Sequence, residues 1–259
     1  MENNKKQRKE WLDIALLIVI YLISTIDVVS IFIDNTLFSF IGRVSLRTIF
    51  IIFALFFVKK TALTIIKPLK FEKEHLLLIP LFIVVFSNWI VVLVDKTQVL
   101  SNINTTLMIQ GISLDFLSAF AEEVVFRLIL ISQFLKIKGK FQTILYSSLI
   151  FASSHLINIS SLETIIPVLL QVGYTFFLGI GLAFMYVITQ KFIWSFMFHF
   201  TFNVINGTVV RALFTAAKPI PFYTINVLVG ILAVAYGIWL YKFFKTRGEK
   251  VDVAETMDI

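Results

Sequence analysis

The sequence predicts an all-α integral membrane protein of about eight transmembrane helices, and three observations predict it. Hydrophobic residues fill 58% of the 259 positions, and the mean hydropathy is +0.91, far more apolar than a soluble composition. Eight stretches approach the length of about 20 apolar residues that a helix needs to cross the hydrocarbon core. They cover about 11–33, 41–58, 76–94, 111–135, 141–159, 163–188, 192–210 and 222–244. The basic residues, finally, fall at the ends of these runs and alternate between the two sides they define.

The first run comes after the basic residues Lys5, Lys6, Arg8 and Lys9. It is too long for a signal-peptide core and has no clear small-residue cleavage site, so it reads as a first span. In the second run Arg43 and Arg47 intrude near one end, where long side chains reach the interface. Between the second and third runs, Lys59 to His75 carries five lysines and Pro68. That composition suits a surface element lying against headgroups as well as it suits a solvated connector. In the sixth run Gly179 and Ala183 stand one turn apart, a spacing that permits close helix contact.

With the N-terminus inside, Lys59, Lys60, Lys67, Lys70, Lys73, Lys136, Lys138, Lys140, Lys242, Lys245 and Arg247 all share the cytoplasmic side. The opposite connections hold Asp34, Asp95, Lys96, Arg211 and Lys218. The positive-inside rule then gives a multi-pass cell-membrane protein with both termini cytoplasmic. One membrane domain is expected over 11–244, between a basic tail at 1–10 and a polar tail at 245–259. The net charge of +7 and pI near 9.5 are thus topology signals, and no nucleic-acid partner is expected. With no cysteine there is no disulfide, thiolate ligand or thiol nucleophile.

The fourth run is the informative one. It places Glu122, Glu123 and Arg127 in an otherwise apolar span, at roughly 2.5 to 3.5 kcal/mol each near the membrane centre, so they must be paired or hydrated. Glu123 and Arg127 are four apart and share a helix face. Glu122 is rotated away and free to face an interior cavity with Asp115 and Ser118. A buried ion network that only fixes packing is the duller alternative. The fifth run contains Phe151 to His155, and the seventh carries Ser195, His199 and Asn203 at successive four-residue steps, continued by Asn206. Singly, such groups are as often interhelical glue as chemistry.

At 1.5 Å of rise per residue, Glu122 and His155 both lie roughly 20 Å from the cytoplasmic ends of their runs and can meet in one layer. His199 lies only roughly 10 Å deep and Asn203 roughly 16 Å, so the seventh helix has to start deeper or tilt. Peptide hydrolysis needs a base on water, a proton for the leaving amine and donors for the oxyanion. Glu122 with His155 supplies the first two, and His199 with the Asn203 amide supplies the third. No HExxH, GxGD or glycine-flanked serine occurs. A Ser195–His199 dyad lacks an orienting group, while a Glu, His, His zinc site remains chemically open.

EEVVFR at Glu122 to Arg127 fits an EExxxR motif, Phe151 to His155 fits FxxxH, and His199 to Asn203 fits HxxxN. The chain thereby resembles the CPBP, or Abi, family of intramembrane proteases, which includes CAAX prenyl endopeptidases and bacterial proteins of bacteriocin maturation and self-immunity. The resemblance implies helices around a conical, water-accessible cavity, with the protease-like core at about 111–210. It implies a glutamic endopeptidase with no metal or other cofactor. Glu122 would be catalytic, His155 its partner on water, His199 and Asn203 the oxyanion pair, and Glu123 and Arg127 supporting. Partners would be a peptide or protein substrate, membrane lipids and bacteriocin-system components. The alternatives are a non-catalytic immunity or scaffold protein and a proton-relaying transporter; against the latter stands the lack of Gly/Pro-broken helices in paired halves.

Overall fold

The computed structural model describes residues 2–25, 36–60, 73–94, 103–214 and 219–246. Among the described residues the chain forms eight helical rods and no strand, and each rod lies over one of the eight apolar runs. They are α1 (Glu2–Thr25), α2 (Thr36–Lys60), α3 (73–94), α4 (105–135), α5 (Lys140–Ser154), α6 (Ile165–Thr189), α7 (192–213) and α8 (Pro219–Thr246). The Lys59–His75 surface segment, the connections bearing Asp34, Asp95, Lys96 and Lys218, and the end of the polar tail fall largely outside the described residues. The basic stretch expected as a tail is helical from Glu2 onward and continuous with α1.

Three of the rods, Thr36–Val58, Leu162–Val187 and Pro221–Trp239, contain stretches long and apolar enough to cross a membrane. Their surroundings agree. Leu16, Ile52, Phe56, Ile83, Leu93, Leu149, Leu169 and Leu232 are exposed on α1, α2, α3, α5, α6 and α8, an apolar exterior that a water-solvated fold would not sustain. Among the described residues the chain is all-helical, with the apolar exterior of a membrane protein.

α4 is the axis of the bundle. It packs against α1, α2, α5 and α7, while α6 lies against α5 and α8, and α8 against α3. From Ala121 to Gln133 every residue of α4 is buried, because this helix meets neighbours on all sides rather than along one stripe. Glycine sets how closely the outer rods approach. A Cβ on Gly179 would come within 3.0 Å of the Phe151 ring and 3.2 Å of Ser148, and one on Gly230 within 2.8 Å of Phe177. Small residues thus bring α6 against α5 and α8 against α6.

Three elements depart from the regular α-helix that the apolar runs suggest. α3 is a tight 3-10 helix over Lys73–Phe86, with Pro80 inside it removing one N–H donor, and becomes α only at Ser87. α4 turns π-helical over Val124–Ile131 and α7 over Phe202–Val209. Both π segments begin beside the chemistry-bearing residues, Glu123 and Asn203, and each rotates the residues beyond it out of four-residue periodicity.

Candidate active site

The fully buried Arg127 is built into the core before any reactive group is considered. Its Nε lies 3.2 Å from Glu123 Oε2, and its guanidinium carbon stands 4.6 Å over the Phe151 ring. The expected four-residue pair therefore forms, in a place where it is shielded from solvent screening, and it gains a cation–π face. Glu123 uses its other oxygen to accept from His199 Nδ1 at 2.9 Å. One carboxylate thus ties α7 to α4 and fixes the histidine ring.

Phe151 explains why an aromatic stands four residues before His155. Its ring meets Phe126 on α4, His155 one turn on, and His199 across the bundle, with centroids 5.2, 5.2 and 5.7 Å away. Its carbonyl receives His155 Nδ1 at 3.1 Å. A carbonyl only accepts, so Nδ1 carries a proton, and in the neutral form of the ring the lone pair lies on Nε2.

Glu122 faces away from this pair, as the helix geometry requires. It accepts from the Tyr21 hydroxyl of α1 at 2.7 Å, and its other oxygen lies 3.5 Å from His199 Nε2. Glu122 is 8% exposed and His199 3%. Both line a cavity of about 300 Å³ together with His155, Asn203, Asp115 and Ser118. The acid, the two imidazoles and the amide thus come from α4, from the end of α5 and from α7 to one space.

His199 shares the layer of the glutamates although counting residues leaves it too shallow. The connector explains this. Gln190 closes α6 in a left-handed conformation at φ 51°, and the next two residues, Lys191 and Phe192, are already buried, so α7 starts below the surface. Of the expected polar stripe of α7, His199, Asn203 and Asn206 line the cavity and Ser195 does not. Ser195 is completely buried, donates to the Phe192 carbonyl and is absent from the cavity lining. Asn206, past the start of the π segment, accepts from the Asn88 backbone N–H and donates to Asn226.

That network belongs to residues outside the three motifs. Ser87 donates to Asn226 at 2.5 Å, and the Asn88 amide donates to the Asn206 carbonyl at 2.6 Å. Asn88, Asn206 and Asn226 border the same cavity, as do Tyr174, Arg211 and Tyr223. Higher up, Thr208 donates to Asp115 at 2.7 Å. Asn206 was already part of the expected stripe of α7, whereas Tyr21, Asn88 and Asn226 lie outside what motif reasoning singles out. Their signal was simply a polar group within an apolar run, which in lipid requires a partner.

Among known protein families, the model described as Type II CAAX prenyl endopeptidase Rce1-like matches residues 104–205. The matched stretch contains all three motifs and takes in α4 to the middle of α7, somewhat under half of the chain. The resemblance drawn from the motifs therefore holds over that stretch. No curated protein and no solved structure matches the chain.

Proposed function

We propose, taking the Rce1-like stretch at 104–205 as the premise, that this chain is an intramembrane endopeptidase that hydrolyses a peptide bond with a water activated by Glu122. The observation that carries the reading is the convergence of Glu122, His155, His199 and Asn203 on one cavity. Glu122 takes the proton of a water held between it and His155 Nε2. The water oxygen then adds to the scissile carbonyl carbon. The oxyanion is met by His199 Nε2–H and the Asn203 amide, each such donor being worth about 10² to 10³ in turnover. Glu122 finally passes its proton to the departing amine as the C–N bond breaks.

The neighbours fit these parts. Glu123, neutralised by Arg127, holds His199 Nδ1, so a ring that donates through Nε2 is an imidazolium lying between two carboxylates. Tyr21 fixes the free rotor of Glu122. The rods are read as eight spans of a single domain at 11–244, with both termini cytoplasmic. The ion pair of Glu10 with Lys136 at 3.8 Å supports that topology, since it brings the start of α1 and the end of α4 to one face. The resemblance brings no metal or cofactor to this site.

Glu122→Gln tests the reading, because it keeps the shape and removes the base. The purified chain in liposomes, supplied with a mixture of internally quenched peptides, is expected to lose at least 10³-fold of its cleavage rate, and a chelator is expected to leave the wild type unaffected. Cleavage unchanged in the variant sinks the mechanism. Protection of cells from a peptide toxin that survives Glu122→Gln moves the chain to the non-catalytic immunity reading.

A further inference from the structure

We infer that the cavity opens on the face opposite the lysine-rich one, and that its occupant is a peptide segment on the extracytoplasmic side. The word substrate for that occupant rests on the endopeptidase reading; the side of the opening does not.

The lining residues occupy corresponding positions on α4, α6, α7 and α8. Asp115 stands 20 residues before Leu135, Gln171 18 before Thr189, and Tyr223 19 before Lys242, while Arg211 stands 19 after Phe192. At 1.5 Å per residue each lies roughly 27 to 30 Å from the lysine-bearing end of its own helix. Exposure falls in the same direction. Arg211 is exposed and Asp115, Gln171 and Tyr223 are half-buried, whereas Glu122 and His199 at the floor are buried.

Below the floor the route is closed. Val124, Val125, Phe126, Leu128, Ile129 and Ile131 of α4 are at most 1% exposed, and Phe151, Leu182 and Ala183 pack there with no exposure at all. A peptide approaching from the lysine side meets dry core at native packing density. The lysine-rich end holds Lys136, Lys138, Lys140 and Lys242 together with Arg8 and Lys9 of α1, whereas the mouth end of the described rods holds Arg43, Arg47 and Arg211. The positive-inside rule therefore turns the mouth outward.

The occupant's chemistry is set by the lining. Asp115 and Arg211 offer both signs, and Gln171, Asn203 and Asn226 offer amides, which suits the alternating donors and acceptors of an extended backbone. The adjoining apolar pocket, bounded by Leu81, Phe177, Met185 and Phe198, has a volume of about 10 Å³. That is scarcely room for one water, so the space for an occupant is the polar cavity of about 300 Å³.

The absence of cysteine makes the test direct. Gln171→Cys at the mouth, Ser160→Cys in the exposed turn beside it and Lys138→Cys at the far end are each expressed in the full chain. Intact cells are then treated with a membrane-impermeant maleimide mass tag. Gln171→Cys and Ser160→Cys are expected to be tagged in intact cells, and Lys138→Cys only in inside-out vesicles. Tagging of Gln171→Cys and Ser160→Cys only in inside-out vesicles, or of Lys138→Cys in intact cells, overturns the sidedness. Should Gln171→Cys fail to fold, Ser160→Cys decides alone. Tagging needs no turnover, so a chain that cleaves nothing still reports its mouth. For the occupant, quenched peptides added outside cells are expected to be cut at least 10-fold faster with the wild type than with Glu122→Gln; equal rates overturn that choice.

Discussion

The carboxylate and imidazoles at the cavity floor, Glu122, His155 and His199, come from the 104–205 stretch, whereas Asn88, Arg211 and Asn226 line the same space from outside it and Tyr21 bonds Glu122 from α1. Within the stretch the groups are ionisable; Glu122 and His199 are buried and lie 3.5 Å apart, while His155 is half-buried and bonded to the Phe151 carbonyl. Outside it, Arg211 excepted, they are neutral donors and acceptors. The first set makes a reaction chemically possible and the second holds it in register, so the two sets differ in how much their removal costs. Three substitutions, taken in order of expected effect, can break or sharpen that contrast.

Arg127→Met is the most damaging. It strands the Glu123 carboxylate in a dry core, where breaking a buried pair costs about 3 to 5 kcal/mol, and the thermal unfolding midpoint is expected to collapse. The double variant Arg127→Met/Glu123→Leu is expected to recover most of that stability in the same unfolding measurement, yet to remain inactive, because His199 Nδ1 has lost its acceptor. Activity restored along with stability would reduce Glu123 to packing. Next comes Asn203→Ala, which removes the amide proposed as one of the two oxyanion donors. A loss of about 10² to 10³ in kcat with KM nearly unchanged is expected from steady-state rates on quenched peptides.

Much of this arrangement was legible in the sequence. Eight apolar runs announced eight rods, because in lipid only a helix satisfies its own backbone. The Glu123–Arg127 pair could be read from helical spacing, and so could the separate outlook of Glu122. What four-residue counting could not foresee was the π segment of α7. Past Phe202 it shifts Asn206 into the Ser87–Asn226 network. Nor could depth counting foresee a helix that begins beneath the surface at Lys191 and Phe192. Both depend on tertiary contacts rather than local propensity. Tyr21 was hidden for another reason: a tyrosine in an apolar run is ordinary, and only its partner, 101 residues away, gives it meaning.

Tyr21→Phe is the mildest of the three and the sharpest test of the contrast. The ring remains, with its contacts to Phe50 at 5.6 Å and Phe126 at 5.7 Å, and only the hydroxyl that donates to Glu122 is lost. A hydrogen bond to a charged group is worth about 1.5 to 3 kcal/mol, but part of it is recovered when water enters beside the carboxylate. A fall in kcat of roughly 10-fold, which corresponds to about 1.4 kcal/mol of barrier, is expected with KM unchanged. A purely structural tyrosine would instead lower the unfolding midpoint and leave kcat per folded molecule as it was. A loss as large as that of Asn203→Ala would place Tyr21 among the groups that act on the reacting atoms, and the division between the 104–205 stretch and its flanking helices would no longer hold.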